Sequence, residues 1–560
     1  MNKTWWKEAV AYQIYPKSFY DSNNDGIGDI KGITMKLPYL SDLGVNVVWI
    51  CPFYKSPMKD NGYDVADYYS IDPMFGTMED MDELLEKSKE YNIKVLVDLV
   101  LNHSSSEHEW FQEAISDPNS PYRDYYIFKN SENEQIPTNW RSNFGGSVWE
   151  KEEDNNYYMH AFDKSQPDLN WENPKLRQEI YHMINYWLDK GISGFRIDAI
   201  TFIKKNQSYP CIPSDGEDGL AGLQTVSLNQ KGIGTFLKEL KEKTYGRMDA
   251  MTVAEAPGVP YEQLEEYIGD DGYFSMIFDF SYADIDLNAD GNWHSHKEWS
   301  IKELKEAIFN SQLSIKKVGW GALYLENHDQ PRSIDKYFKD KDCNKKELSF
   351  YLGSVLATMY FLLRGTPFIY QGEEIGMRNC PFSSIEEYDD VATKDQFERA
   401  ICAGIKPEEA LKIVYGRSRD NSRTPMQWSD EENAGFTHGE PWLKVNPNYK
   451  ETNVKNQINS ENSLYKYYKK LIQLRKASVY KDVIIYGDIK PILKDYDNII
   501  AYTRELNGSE IIVITNFSCE QYKIPMEYKE CILSNYINFD NHECNKEIIL
   551  RPYEAVVLAK

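Results

Sequence analysis

The sequence predicts an α/β fold: a (β/α)8 TIM barrel with an inserted subdomain after the third strand and a C-terminal β-sandwich. Three observations carry this. Eight short apolar runs, bounded by turn residues, alternate in several places with amphipathic stretches. Strands alternating with helices mean parallel βαβ units, and eight such units close a barrel. The third and fourth runs are about 95 residues apart, where a simple βα unit needs roughly 30. After residue 478 the pattern changes to short alternating strands over the last stretch of chain, which suits a β-sandwich.

The barrel runs are 10–15, 45–50, 94–100, 195–197, 251–254, 275–280, 322–325 and 367–370. Between them, 78–91 and 176–190 read as helices. In the second, Leu176, Ile180, Met183, Ile184 and Trp187 recur at the 3.6 period. The long gap after the third run is rich in Asn, Ser, Pro, Trp and Tyr. The domains expected are 1–103 and 172–478 for the barrel, with an insertion at about 375–461, then 104–171 for the subdomain and 479–560 for the sandwich. Strands expected in the sandwich are 483–486, 499–503, 511–515, 548–550 and 555–558.

Composition narrows the function. Of 560 residues 41% are hydrophobic and 27% charged, an ordinary globular balance that rules out bulk disorder. The chain has 63 Lys+Arg against 88 Asp+Glu, a net charge of −25, and no long basic run. Nucleic acid is therefore not an expected partner. The eight cysteines, Cys51, Cys211, Cys343, Cys380, Cys402, Cys519, Cys531 and Cys544, form no C-x-x-C pair. Buried, reduced thiols are expected rather than a disulfide framework or zinc ribbon. The N-terminus lacks the apolar core of a signal peptide, and no 18-residue apolar stretch exists. A cytoplasmic protein without a membrane partner is expected, with a monomer as the default.

In such a barrel, chemistry sits at the C-terminal ends of the strands. Four proposed strands end in acids or their partners: Asp98 to His103, Gly194 to Asp198, Met251 to Glu255 and Leu325 to Asp329. Residues i and i+2 of a strand share a face. Arg196 and Asp198 are therefore expected to point together, as are Asn327 and Asp329. Asp198, Glu255 and Asp329 would converge at one mouth, near Arg196, His103 and His328. Gathered like charges raise one another's pKa, so such convergence signals chemistry more than structure.

These four segments resemble, in order, the motif regions of the α-amylase family of glycoside hydrolases. Further segments resemble its oligosaccharide exo-glucosidase branch. They are Trp5-Trp6-Lys7-Glu8-Ala9-Val10-Ala11-Tyr12-Gln13-Ile14-Tyr15-Pro16, Asp60-Asn61-Gly62-Tyr63-Asp64, Gln166-Pro167-Asp168-Leu169-Asn170-Trp171, Gln371-Gly372-Glu373-Glu374-Ile375-Gly376-Met377 and Arg423-Thr424-Pro425-Met426-Gln427-Trp428. The resemblance covers nearly the whole chain.

It implies a retaining double displacement on a small oligosaccharide, with Asp198 as nucleophile, Glu255 as acid/base and Asp329 as transition-state stabiliser. It further implies that Arg196 keeps Asp198 ionised, that His103 and His328 bind ring hydroxyls, and that Tyr63 offers a flat face to the sugar. Gln166 would line the pocket. Asp60 and Arg419 would pair bidentately and hold the non-reducing-end hydroxyl, with Asp64 orienting Arg419. Ala199, after the nucleophile, would line the aglycone side. In the family Val there accompanies α-1,6 hydrolysis and smaller residues α-1,4 preference, so Ala199 points to maltose and maltodextrins. Rival readings are an oligo-1,6-glucosidase, a trehalose-6-phosphate hydrolase, a transglucosidase or sucrose isomerase, and a catalytically dead scaffold. A phosphate binder should carry lysines after strand six, but residues 281–293 hold three aspartates and none. A dead scaffold would lack the acids that this chain keeps.

Asp21, Asn23, Asp25, Ile27 (through its carbonyl) and Asp29 match ligand positions 1, 3, 5, 7 and 9 of an EF-hand-like loop, with Gly26 at the turn. Position 12 is Gly32 rather than Glu, so the loop is not an EF-hand. The family carries a structural calcium here, sometimes magnesium, and Ca2+ is the expected cofactor.

Overall fold

The structure, a computed structural model, describes residues 4–131, 135–152, 155–216, 218–288, 291–338, 348–537 and 546–560. Cys343, Cys544, Ala289 and Asp290 lie outside the described residues. Eight strands close a parallel barrel: β1 (Ala11–Ile14), β2 (Val47–Ile50), β3 (Lys94–Val100), β4 (Gly194–Asp198), β5 (Met251–Glu255), β6 (Met276–Phe278), β7 (Gly321–Leu323) and β8 (Thr366–Tyr370), with β8 pairing back onto β1. The strands are buried on both sides because their inner face fills the barrel and their outer face meets helices.

The helices used below are α1 (Ile30–Leu43), α2 (Met78–Glu90), α3 (Pro174–Lys190), α4 (Ile233–Lys243), α5 (Leu264–Ile268), α6 (Ile301–Val318), α7 (Ser349–Phe361), α8 (Val391–Cys402), α9 (Pro407–Arg417) and α10 (Leu464–Ala477). Local chemistry sets several ends. Thr77 and Asp80 form a capping box on α2, as Ser300 and Glu303 do on α6. Helix α3 starts at Asn173-Pro174 and stops at Gly191, whose φ of 107° suits glycine.

Between β3 and α3 the chain forms a small subdomain, with a three-stranded antiparallel sheet from Phe128–Asn130, Asn156–Met159 and Trp149–Lys151. A further strand, Trp140–Arg141, pairs with Ala221–Gly222, so the loop after β4 joins the subdomain that rises after β3. Lys205 fastens this junction. Its buried ammonium lies 2.8 Å from Asp168 and donates to Asn102 Oδ1 at 2.7 Å.

The C-terminal unit has a five-stranded antiparallel sheet in the order β9 (Asp488–Ile492), β10 (Ile499–Leu506), β11 (Ser509–Asn516), β15 (Ala555–Ala559), β13 (Glu530–Ser534). A two-stranded sheet, β12 (Tyr522–Pro525) with β14 (Glu547–Leu550), shares its core through Ile524, Ile548 and Leu550. Residues 483–486, expected as a strand, belong to a helix, Lys481–Tyr486. Four consecutive apolar residues have no alternation, and a buried helical turn looks the same. Among the described residues no helix is long and apolar enough to cross a membrane. Cys51, Cys211, Cys380, Cys402, Cys519 and Cys531 are free thiols, of which Cys51 and Cys380 are buried.

Candidate active site

Strand β4 presents Arg196 and Asp198 together, as their two-residue spacing requires. Arg196 Nη1 donates to Asp198 Oδ1 at 2.6 Å and to Asp98 Oδ1, its partner across the β3–β4 ladder, at 2.9 Å. Nη2 lies 2.8 Å from Glu255 Oε2 at the end of β5. One buried guanidinium therefore joins carboxylates from three adjacent strands. Trp49 Nε1 and the Tyr63 hydroxyl complete the shell of Asp98.

Burial, joined by the like charges of Glu255 and Asp98, pushes the Asp198 carboxyl well above the usual range despite Arg196. Burial also raises Asp98, to about 6, against the pull of Arg196. Ala199 has left-handed backbone (φ 40°) and its N–H donates to Glu255 Oε2 at 3.0 Å. Its methyl is buried with Phe202 and Trp140. The contact of Ala199 with the acid is thus made by backbone.

Strand β7 ends at Leu323, so Asn327 and Asp329 do not share a strand face. They sit in the following turn, where Asn327 Oδ1 accepts the Asp329 N–H at 2.8 Å. Asp329 Oδ1 lies 2.8 Å from Arg423 Nη2 and 3.3 Å from Arg419 Nη1. Burial opposes its ionisation, but His328, Arg419 and Arg423 outweigh it and hold the carboxyl far below its usual value. Its side chain is still 31% exposed.

His328 stacks on Tyr63 with centroids 5.1 Å apart and planes 7° apart. Burial pulls its pKa down to about 3, so the ring is neutral at pH 7. Gln13 Nε2 is 2.8 Å from Nδ1, which assigns the proton to Nε2. That atom lies 3.1 Å from Asp329 Oδ2 but makes no aligned hydrogen bond. His103, lowered to about 4 by burial, is neutral too. Its Nε2 donates to the Tyr63 carbonyl at 3.0 Å. Gln166 is fully buried, and its amide donates to Asp60 Oδ2 at 3.0 Å and to the Tyr63 carbonyl. In this geometry Gln166 braces Asp60 and the Tyr63 backbone.

Arg419 gathers a second cluster of acids. Its Nη2 reaches Asp60 Oδ1 at 2.9 Å and Asp390 Oδ1 at 2.6 Å, and its Nε reaches Asp390 Oδ1 at 2.7 Å. The expected bidentate pair with Asp60 is not formed, because the guanidinium is divided among Asp60, Asp329 and Asp390. Asp64 does not orient Arg419 either. It accepts from Ser56 Oγ and from the Lys59 and Asp60 N–H groups, holding the turn that carries Asp60. Glu326, next to Asn327, pairs with buried Arg332 at 3.0 Å, away from the sugar site.

Sequence reasoning missed Asp390, Arg423, Gln13 and the role of Asp98. Arg423 had a signal, standing four residues after Arg419. Asp390 had none, since it reaches Arg419 from the start of α8.

In the metal loop, Asp21 is wrapped by the N–H groups of Asn23, Asn24 and Gly26 and by the Thr437 hydroxyl. Asn23 Oδ1 accepts from Asp25 N and Asp25 Oδ1 from Ile27 N. Asp29 caps α1 through Gly32 N and accepts from Ser22. No ion pair to Asp21, Asp25 or Asp29 occurs among the described residues. The donors are hard oxygens of the type Ca2+ and Mg2+ take, although no three His, Cys, Asp or Glu side chains cluster for a metal among the described residues.

Residues 13–487 match the model of the α-amylase catalytic domain. The oligo-1,6-glucosidase of Parageobacillus thermoglucosidasius is 47% identical over 567 residues, covering 100% of this chain and 99% of that protein. The trehalose-6-phosphate hydrolase of Bacillus subtilis strain 168 is 41% identical, covering 99% and 98%. Among solved structures, the isomaltulose synthase of Klebsiella sp. LX3 superposes with a TM-score of 0.94 at 37% identity, covering 100% of both chains. The chain belongs to the α-amylase family, and it is a glycoside hydrolase.

Proposed function

We propose that this enzyme is a retaining exo-α-glucosidase that removes glucose from the non-reducing end of short α-glucosides, α-1,6-linked ones included. The carrying observation is the junction at Arg196, which gathers Asp198 and Glu255, beside a second cluster in which Arg419 joins Asp60, Asp329 and Asp390. Asp198 Oδ1 and Glu255 Oε2 lie 2.6 and 2.8 Å from the same guanidinium, which supports the close carboxyl pair that retention uses.

In this reading Asp198 attacks the anomeric carbon as the C1–O bond to the aglycone breaks. Glu255 gives its proton to the departing oxygen. Glu255 then takes a proton from water, whose oxygen attacks C1 and releases Asp198 as a carboxylate. Asp329, held ionised, offsets charge on the flattening ring. Neutral His328 offers its Nε2 proton to a ring hydroxyl.

The α-1,6 linkage is supported by the oligo-1,6-glucosidases among the relatives, at 41–47% identity. A second reading, α-1,4 preference, is favoured by the small side chain of Ala199. Turnover of maltose, isomaltose, sucrose, trehalose and trehalose-6-phosphate, with the anomer of released glucose recorded, tests both. Release of β-glucose, or no turnover of any of them, would refute the proposal. Ala199→Val is expected to raise the isomaltose/maltose rate ratio. That ratio is insensitive to the fraction folded, which matters because a β-branched residue is strained at positive φ.

Phosphate recognition has little support. Lys204 pairs with Glu172 and Lys205 is buried on Asp168, while Asp284 and Asp286 face Arg417. The Asp21–Asp29 loop is proposed to hold Ca2+ or Mg2+ through Asp21, Asn23, Asp25, the Ile27 carbonyl and Asp29, fastening the loop to the start of α1. Chelation is expected to lower Tm and added Ca2+ to restore it. An unchanged Tm would count against the site.

A further inference from the structure

Phe144 stands on the subdomain turn 142–146, and its ring lies 5.2 Å from the Arg419 guanidinium carbon. The turn is tied down on its own side. Ser142 N donates to the Gly146 carbonyl, Asn143 N to the Ala161 carbonyl and Ser142 Oγ to the Phe162 carbonyl. Phe144 packs edge-on against Phe162 at 5.7 Å, and Phe162 reaches His103 at 5.2 Å. Phe144, Phe162 and His103 therefore form one continuous row of rings.

The other side of the turn rests on α8. A Cβ on Gly145, whose φ is 95°, would sit 2.0 Å from Asp395 Oδ1 and 3.0 Å from Arg399 Nη2. Only glycine lets the backbone approach this closely. Asp395 is fixed by Arg399 Nε at 2.8 Å, and Arg399 Nη1 donates to Asn292 Oδ1. Arg141, at the base of the turn, is held by Asp215 and Asp218, each at 2.6 Å.

Helix α8 thus holds Arg419 twice over. Its N-cap, Asp390, binds the guanidinium directly. Its second and third turns hold Gly145, whose neighbour Phe144 covers the same guanidinium. The contacts close a ring: Arg419, Asp390, α8, Gly145, Phe144 and back to Arg419.

We propose that Phe144 is a positioning residue for sugar binding: clamped over Arg419 by the fit of Gly145 onto α8, it keeps the guanidinium aimed at the terminal hydroxyl of the bound glucose. This rests on the exo-α-glucosidase reading above. Arg419 binds the sugar alike before and during reaction, so a loosened roof weakens both states equally and raises KM without lowering kcat.

The test uses the full chain and p-nitrophenyl α-glucoside. Phe144→Ala is expected to raise KM about three- to thirty-fold, the range of a cation–π contact, with kcat within about two-fold. The inhibition constant of glucose should rise in step, and Phe144→Tyr should retain wild-type values. Gly145→Ala, remote from the sugar, should reproduce the raised KM, and it carries the test if Phe144→Ala does not fold. An unchanged KM in either folded variant, or a loss confined to kcat, overturns the proposal. If the wild type releases no glucose from any α-glucoside, the underlying reading fails instead, and the roof with it.

Discussion

Arg196 touches Asp98, Asp198 and Glu255 at once, so its charge is shared and does not simply ionise the nucleophile. The i, i+2 spacing with Asp198 was legible in the sequence. The claim of Asp98 on the same guanidinium was not, because it depends on which strand lies beside β4. A kinetic consequence follows. Asp198 must be ionised to attack, and its carboxyl is raised by burial and by its acidic neighbours. Activity is lost as pH falls through a raised pKa, so the acid limb of kcat/KM should lie above the ordinary Asp value of about 3.9. A limb at or below that value in a pH–rate profile would contradict this electrostatic account. Glu255→Gln removes the proton donor and should cost about 10²–10⁴-fold in kcat on isomaltose or maltose. The loss should be smaller on p-nitrophenyl α-glucoside, whose leaving group departs without protonation; equal losses on both would argue against an acid role.

At the scale of elements, the apolar runs placed all eight barrel strands to within a few residues, since burial on both faces leaves unbroken Val/Ile/Leu runs. The turn after β7 was misread as strand, because the Asx contact from Asn327 to Asp329 replaces ladder pairing and nothing in the local composition marks the change. Strand β4 carries Asp198, and its start is set by Gly194. A Cβ there would fall 1.9 Å from the Met251 carbonyl of β5. Gly194→Ala must therefore push β4 and β5 apart, at about 2–4 kcal/mol by the scale of core overpacking and backbone strain. A denaturant midpoint equal to wild type would show that the strands can give way freely.

Across the whole molecule, buried acids and buried imidazoles pull stability in opposite directions with pH. Glu373 is pushed up to about 8 by burial and by Glu326, and Asp420 to about 6 by burial and by Asp390. With Asp98 these carboxyls keep protons in the folded chain that the unfolded chain has released, so their stabilisation is lost as pH rises towards 8. His103, His108 and His328, lowered to about 4, 4 and 3 by burial, resist protons that the unfolded chain accepts near 6.5. Their contribution is lost as pH falls below that value. Tm should therefore rise from pH 8.5 to about 6.5, the interval in which the raised carboxyls take up protons and the imidazoles do not yet differ between the folded and unfolded chain. A Tm that is flat or falls from pH 8.5 to 6.5 would contradict this account.

Taken alone, the sequence determined the barrel, the subdomain after its third strand and the C-terminal sheet. Each of these is written in local patterns of burial and turn chemistry that need no partner to be read. The tertiary structure alone decided which guanidinium serves which carboxylate, that Asp390 and Arg423 join the site, and that a glycine turn from one subdomain seats on a helix from another. Those contacts join residues from different elements, as far apart as Asp60 and Arg419, and no local pattern encodes a meeting that only the closed barrel brings about.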